Sequence, residues 1–352
     1  MLTSFWYANP AARHWSCALP SDQARKLHAK LPGYSPTPLT ELPALAGDLG
    51  VGRVLVKDES SRLGLPAFKA LGASWAIHRI LERREGPLTL VTATDGNHGR
   101  AVARMARLLG QRARVFTPGG VHPEAVAAIA AEGAEVTEVR GSYDEAVQRA
   151  ASAAGEPGAV LVQDTAWAGY EETPGWIVEG YATLFAELDE QLGEAPGLVA
   201  VPAGVGSLAQ AAVAHYRARP GGTAVMTVEP ETAACVLASL LERRPVRVET
   251  GDTIMAGLNC GTPSSLAWPY LRDGLDAAVA VGDADSTRAA RELLALGVDA
   301  GPCGAASLAG VRAALDSGER RASLGVRPGS TVVLLNTEGT TANPALCPAG
   351  KD

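Results

Sequence analysis

From about residue 88 onward, short aliphatic and β-branched runs alternate with longer Ala-rich stretches of helical period. Short apolar runs bounded by turn-forming residues suit buried strands, and the Ala-rich stretches suit helices that cover them. The alternation therefore predicts a parallel sheet with crossover helices. Strands are predicted at 88–93 (LTLVTA), 113–118 (ARVFTP), 134–139 (AEVTEV), 159–164 (AVLVQD), 198–202 (LVAVP), 224–230 (AVMTVEP), 277–283 (AAVAVGD) and 330–337 (STVVLLNT). Between them, GRAVARMARLLG (99–110), VHPEAVAAIAAEG (121–133) and TPGWIVEGYATLFAELDEQL (173–192) read as helices. The Thr173-Pro174 pair predicts the start of the last, a capping hydroxyl followed by proline at the first helical position.

At 352 residues the chain exceeds one ordinary core, which predicts two domains and room for a cleft, with junctions near 60–66 and 165–172. A hydrophobic fraction of 47% and a charged fraction of 20% are ordinary for a globular protein. The formal charge of -7 and the absence of any basic run argue against a nucleic-acid surface, which leaves a small molecule as the expected ligand. No apolar stretch is long enough to span a bilayer, and the N-terminus lacks a basic segment followed by an apolar one, so the expected location is the cytoplasm, away from membranes. The five cysteines (Cys17, Cys235, Cys260, Cys303, Cys347) form no C-x-x-C pair and have no nearby histidines. Neither a disulfide framework nor a metal site is expected, and most should be small buried hydrophobes.

Lysine is scarce: Lys26, Lys30, Lys57, Lys69 and Lys351 are all there are, so imine chemistry has few candidates. Lys69 lies in GLPAFKALGAS among apolar neighbours, where burial would disfavour the ammonium and yield an amine nucleophile near neutral pH. A lysine snorkelling from a partly buried helix fits the same residues. In PAGVGSLAQ, Gly204, Val205, Gly206 and Ser207 stand between a strand and a helix, where free N–H groups and a serine hydroxyl suit a phosphate. Glycines there also simply permit a tight turn. The segment TATDGNHGR (92–100) sets Asp95, Asn97 and His98 at another strand-to-helix turn, the place where open α/β sheets bind ligands, although a polar capped turn would look alike. Asp164 ends a further strand and is followed by TAWAGYEE; a helix cap is the plain alternative.

Taken in order, FKALGAS, TDGNHG, AGVGS and NTEG resemble the fold-type II pyridoxal phosphate enzymes, the group of serine/threonine dehydratases and cysteine synthase. Within it, KDESSRLGLPAFKALGAS (57–74), TATDGNHGRA (92–101), VQDTAWAGYEETPGWIVEGY (162–181) and TIMAGLNCG (253–261) look like diaminopropionate ammonia-lyase, a likeness running over about residues 34–344. The resemblance implies two doubly wound α/β domains with the active site in the cleft between them. Residues 1–65 and 172–352 would form the larger, cofactor-binding domain, and 66–171 a smaller one inserted in it. It implies a homodimer using pyridoxal 5′-phosphate and no metal. It makes Lys69 the imine-forming lysine, Asn97 the partner of the ring hydroxyl, Gly204 to Ser207 the phosphate cradle, and Asp95 and Asp164 the catalytic carboxylates. Thr337 would face the pyridine nitrogen, unless a one-residue shift gives that place to Asn336.

In dehydratases of the group the position of Asp95 is small and uncharged, so a carboxylate there implies a cationic partner. The β-ammonium of 2,3-diaminopropionate is such a partner, and α,β-elimination would release ammonia and pyruvate. A departure lies at AGPCGAA (300–306), where Pro302 and Cys303 replace an acidic residue and a serine of the relatives, which bears on substrate identity. The rival readings are a serine, threonine or hydroxyaspartate dehydratase or β-replacement enzyme on the same scaffold, a non-catalytic cofactor-binding protein, and a nucleotide-binding α/β protein.

Overall fold

The runs at 198–202, 224–230, 277–281 and 331–336 are mostly aliphatic, and each strand they form is buried end to end. That is the signature of parallel strands covered on both sides. The computed structural model describes residues 5–219 and 221–342. Its strands are β1 (Trp6–Ala8), β2 (Leu39–Glu41), β3 (Arg53–Asp58), β4 (Thr89–Ala93), β5 (Arg112–Pro118), β6 (Glu135–Val139), β7 (Ala159–Leu161), β8 (Leu198–Pro202), β9 (Ala224–Pro230), β10 (Ala277–Val281) and β11 (Thr331–Asn336). They form a seven-stranded sheet in the order β1-β10-β9-β8-β11-β3-β2 and a four-stranded sheet in the order β6-β5-β4-β7. Pairing is parallel except at the two edges of the larger sheet, β1 on β10 and β2 on β3.

Successive residues of the central strands feed opposite cores: Val199, Val201, Val333 and Leu335 face one, Leu198, Ala200, Val332 and Leu334 the other. The larger sheet is thus doubly wound. The first of these cores also takes Leu90 and Val115 from the smaller sheet, so one apolar layer joins the two sheets. The Lys69–Leu81, Asn97–Leu108, Glu172–Leu192 and Ser207–Arg217 helices fill that layer. Gly72 and Gly180 let two of them cross closely. A Cβ on Gly72 would lie 2.6 Å from the Tyr181 ring, and one on Gly180 2.5 Å from the Leu71 carbonyl.

Three differences from the sequence expectations have physical reasons. Strand β7 stops at Leu161, because the Gln163 side chain accepts from Ala93 N (2.9 Å) and Thr92 Oγ1 (3.0 Å) and turns the segment out of register. The long helix begins at Glu172, so Thr173 and Pro174 lie inside its first turn, where a missing N–H leaves no carbonyl unpaired. Strands β1 to β3 were not expected: two are three-residue edge strands, and β3 carries Arg53, Lys57 and Asp58. No helix among the described residues is long and apolar enough to cross a membrane.

Candidate active site

The carboxyl ends of β4, β7, β8 and β11 meet at one cavity of about 570 Å³. Open α/β sheets bind ligands at such an end because the loops and helix N-termini there present unpaired N–H groups.

The loop after β3 delivers Lys69. It lies along the end of β11 through Glu59 N to Asn336 O (2.8 Å), Phe68 N to Thr337 O (3.3 Å) and Gly339 N to Pro66 O (3.0 Å). Inside it, fully buried Arg62 donates to Glu59 and to Glu187, and Lys57 donates to Glu187 at 2.8 Å. Lys57 is thereby occupied away from the cavity, and Lys26 and Lys30 are exposed. Among the described residues Lys69 is the lysine that lines the cavity; Lys351 and Cys347 lie outside them.

Lys69 opens its helix, and its Nζ donates to Asp164 Oδ2 at 2.7 Å above the faces of Phe68 and Tyr181. The expected free amine is corrected here. Burial would lower the pKa, but the Asp164 carboxylate outweighs it and holds Lys69 well above its ordinary value, as an ammonium. The same pairing acts on Asp164. Burial would raise its pKa, yet His98 and Lys69 hold the carboxyl well below the usual range.

Asp95 is in the opposite condition. It makes no hydrogen bond or ion pair among the described residues, and burial, with the Asp164 charge added and Lys69 opposing, pushes its carboxyl up to about 7. Thr94 Oγ1 shapes the turn between them, accepting from Gly96 N (2.9 Å) and Gly99 N (3.1 Å). His98 Nε2 lies 2.8 Å from the Val162 carbonyl, which can only accept, so Nε2 carries a proton, and Nδ1 lies 3.8 Å from Asp164. Asn97 Nδ2 donates to Glu338 Oε2 at 2.7 Å.

At the end of β8, Gly206 has φ +91°, a left-handed conformation that a side chain would strain, and a Cβ there would lie 2.7 Å from Leu271 Cδ1. A Cβ on Gly204 would meet Cys260 Sγ at 2.9 Å. The N–H groups that open the Ser207–Arg217 helix have no carbonyl partners within it and point out of this bare turn. The serine hydroxyl departs from expectation: Ser207 Oγ donates to the Asp164 carbonyl at 2.9 Å, leaving the backbone to bind an anion. Thr337 Oγ1 is buried at the cavity wall with no partner among the described residues, whereas Asn336 donates to Asp58 and to the Asp299 carbonyl and does not reach the cavity.

These features fit pyridoxal 5′-phosphate: a lysine amine, a glycine-lined anion turn, an orphaned hydroxyl for a ring nitrogen, and enough volume. Lys69, Asp95, Asn97, Asp164, the 204–207 turn and Thr337 all line the one cavity. Glu338 and Cys260 also line it, with no site role expected of them; the sequence signal for Glu338 was its place in NTEG, just after a mostly apolar strand. Of the four described cysteines, all free, Cys235 and Cys303 are buried and Cys17 and Cys260 half-buried.

Known proteins resemble this chain in sequence and fold. A family model described as pyridoxal-phosphate dependent enzyme matches residues 30–338. The diaminopropionate ammonia-lyase of Escherichia coli (strain K12) is 38% identical over 351 aligned residues, covering 90% of this chain and 88% of that protein. The crystal structure of holo diaminopropionate ammonia lyase from Escherichia coli superposes with a TM-score of 0.87 at 34% identity, covering 97% of this chain and 95% of that one. The crystal structure of a threonine deaminase from T.th. follows the same fold with a TM-score of 0.76 at 29% identity, covering 91% of this chain and 98% of that one. Fold, cavity and kinship agree, and the chain belongs to the pyridoxal-phosphate-dependent enzymes of fold type II, in the family of the diaminopropionate ammonia-lyases.

Proposed function

We propose that this protein eliminates ammonia from 2,3-diaminopropionate, yielding pyruvate and a second ammonia. The observation that carries the reading is Asp95, a carboxylate facing the cavity with no hydrogen-bond or ion-pair partner among the described residues. Desolvating an unpaired carboxylate is costly, so such a site favours a substrate that brings a cation to it and disfavours serine or threonine.

Lys69 would hold pyridoxal 5′-phosphate through its amine, the 204–207 turn its phosphate, Asn97 its ring hydroxyl and Thr337 its ring nitrogen. When bound, the cofactor supplies an electron sink for charge that builds at the substrate Cα. With a pKa of about 7, Asp95 can both take and return a proton at neutral pH, which suits exchange at Cα. Asp164, held ionised, is suited with Asp95 beside it to bind the β-ammonium and keep it protonated until it departs. The Lys69 amine would be a second base for Cα. A neutral hydroxyl at Thr337 favours elimination over transamination because it does not protonate the ring nitrogen. The aminoacrylate product hydrolyses in water to pyruvate and ammonia.

The division into a larger domain (1–65 and 172–352) and a smaller one (66–171) is part of this reading. It is supported by β4 to β7 lying within 66–171 and the other seven strands outside. A homodimer rests on the family resemblance.

The test is an absorbance scan of the purified protein followed by DL-2,3-diaminopropionate with coupled pyruvate detection. We expect a visible band, tethered to Lys69 by borohydride, and pyruvate from diaminopropionate well ahead of serine, threonine or hydroxyaspartate. Faster turnover of a hydroxyl substrate would move the assignment to the dehydratases. A band without turnover would leave only cofactor binding, and no band would end the reading.

A further inference from the structure

Glu338 is a third carboxylate at the cavity, only 3% exposed, and the chemistry above does not use it. Both its oxygens are occupied by donors: Oε2 accepts from Asn97 Nδ2 at 2.7 Å, and Oε1 from Cys303 N at 3.2 Å. Cys303 N lies in the first turn of the 14-residue Pro302–Leu315 helix, whose positive end suits an anion. The Glu338 backbone is fixed as well, through Gly301 N to Glu338 O at 2.9 Å and a bridge to Ala67. Asn97 opens a helix of the smaller sheet and Glu338 follows β11 of the larger, so their bond spans the cleft.

A carboxylate accepts and cannot donate, so it dictates which end of the neighbouring amide faces it. With Nδ2 turned to Glu338, Asn97 has its second N–H and its Oδ1 left for a ligand. We propose that Glu338 is a positioning residue that locks the Asn97 amide toward the cofactor ring and places a negative charge one hydrogen bond behind it. Glutamine cannot substitute, because its amide nitrogen must face one of two donors. Burial pushes the Glu338 carboxyl up, opposed by the donors on Cys303 and Asn97 and by Lys69; the titratable groups facing it are the Cys303 thiol and the Lys69 ammonium. The inference rests on the cofactor reading of the same cavity.

The test uses full-length wild type, Glu338→Gln, Glu338→Asp, Asn97→Ala and the Glu338→Gln/Asn97→Ala double variant. Two quantities are read: pyridoxal phosphate affinity by titration of the cofactor-free protein, and the pH midpoint of the bound visible band. Glu338→Gln should weaken affinity about tenfold and lower the midpoint by about one unit, since removing a nearby anion disfavours the protonated, more positive form of the bound group. Glu338→Asp should hold the midpoint near wild type. The double variant should bind no worse than Asn97→Ala, as expected of residues acting as a unit. Unchanged affinity and midpoint in Glu338→Gln, additive losses in the double variant, or a midpoint in Glu338→Asp as low as in Glu338→Gln would each overturn the inference while leaving the functional reading intact. A wild-type protein that takes up no cofactor would overturn both.

Discussion

Lys69 Nζ and Asp164 Oδ2 lie 2.7 Å apart at the cavity wall, so the amine expected to attack a carbonyl is held as an ammonium by the acid expected to serve the substrate. In this state each group masks the other. A lysine turned to the cofactor would no longer occupy Asp164, leaving that carboxylate for a new cation, which is what the β-ammonium of a diamino acid provides.

That pairing makes a prediction about Asp164→Asn. Burial would then lower the Lys69 pKa with its strongest opponent removed, raising the fraction of free amine at pH 7. The cofactor-free variant should form the visible band several-fold faster than wild type in stopped-flow absorbance, while ammonia release falls about 100-fold or more. Slower band formation would show that the ion pair assists capture instead of restraining it.

Asp95 predicts a pH dependence of stability. Its folded pKa of about 7 lies above that of an unfolded chain, so the folded protein binds the extra proton. The associated stability is full below about pH 4 and is lost as pH rises through about 7. Chemical unfolding of the cofactor-free protein at pH 5 and pH 8 should show wild type losing about 1–2 kcal/mol relative to Asp95→Asn, a figure reduced because the carboxyl faces an open cavity. Parallel pH curves for the two proteins would place the Asp95 carboxyl in the ordinary range.

How far the sequence carried depends on how local each feature is. Strands β8 to β11 lie where mostly apolar runs predict them, because burial on both faces favours such runs, and β4 to β7 fall on the predicted stretches, with more polar residues where the smaller sheet is less covered. The turn at 204–207 was legible because close backbone approach calls for glycine. The charge state of Lys69 was not, since Asp164 is 95 positions away and nothing near Lys69 announces it. The same holds for Glu338, which meets Asn97 across 241 positions. β1 and β2 escaped notice because three residues at a sheet edge carry too little pattern to stand out.

Gly206→Ala tests the anion turn. The new methyl would be forced into a left-handed backbone and against Leu271 Cδ1, at a cost of about 1–3 kcal/mol. Since the displaced N–H groups would no longer converge, cofactor affinity should fall about tenfold or more by equilibrium titration, with inorganic phosphate competing less well than in wild type. Gly47→Ala, whose methyl would meet nothing within 4 Å, is the control and should bind normally. Normal affinity in Gly206→Ala would mean that the phosphate sits elsewhere.

Glu187 governs the loop that carries Lys69, although it does not itself line the cavity. Its carboxylate accepts from Arg62 Nη1 at 2.7 Å, from Lys57 Nζ at 2.8 Å and from the Tyr34 hydroxyl at 2.7 Å. Burial would raise its pKa, but Arg62 first and Lys57 second pull it down to about 2. A depressed carboxylate contributes stability above its unfolded pKa and loses it as pH falls toward the folded value, here between about pH 5 and pH 2. Glu187→Gln keeps the shape but leaves two buried cations facing Glu59 alone, and breaking a buried pair from one side costs about 3–5 kcal/mol. Urea unfolding should show that loss at pH 7 and a narrowing gap between the two proteins below pH 5. A gap independent of pH would mean that packing, and not the Glu187 charge, holds the loop in place.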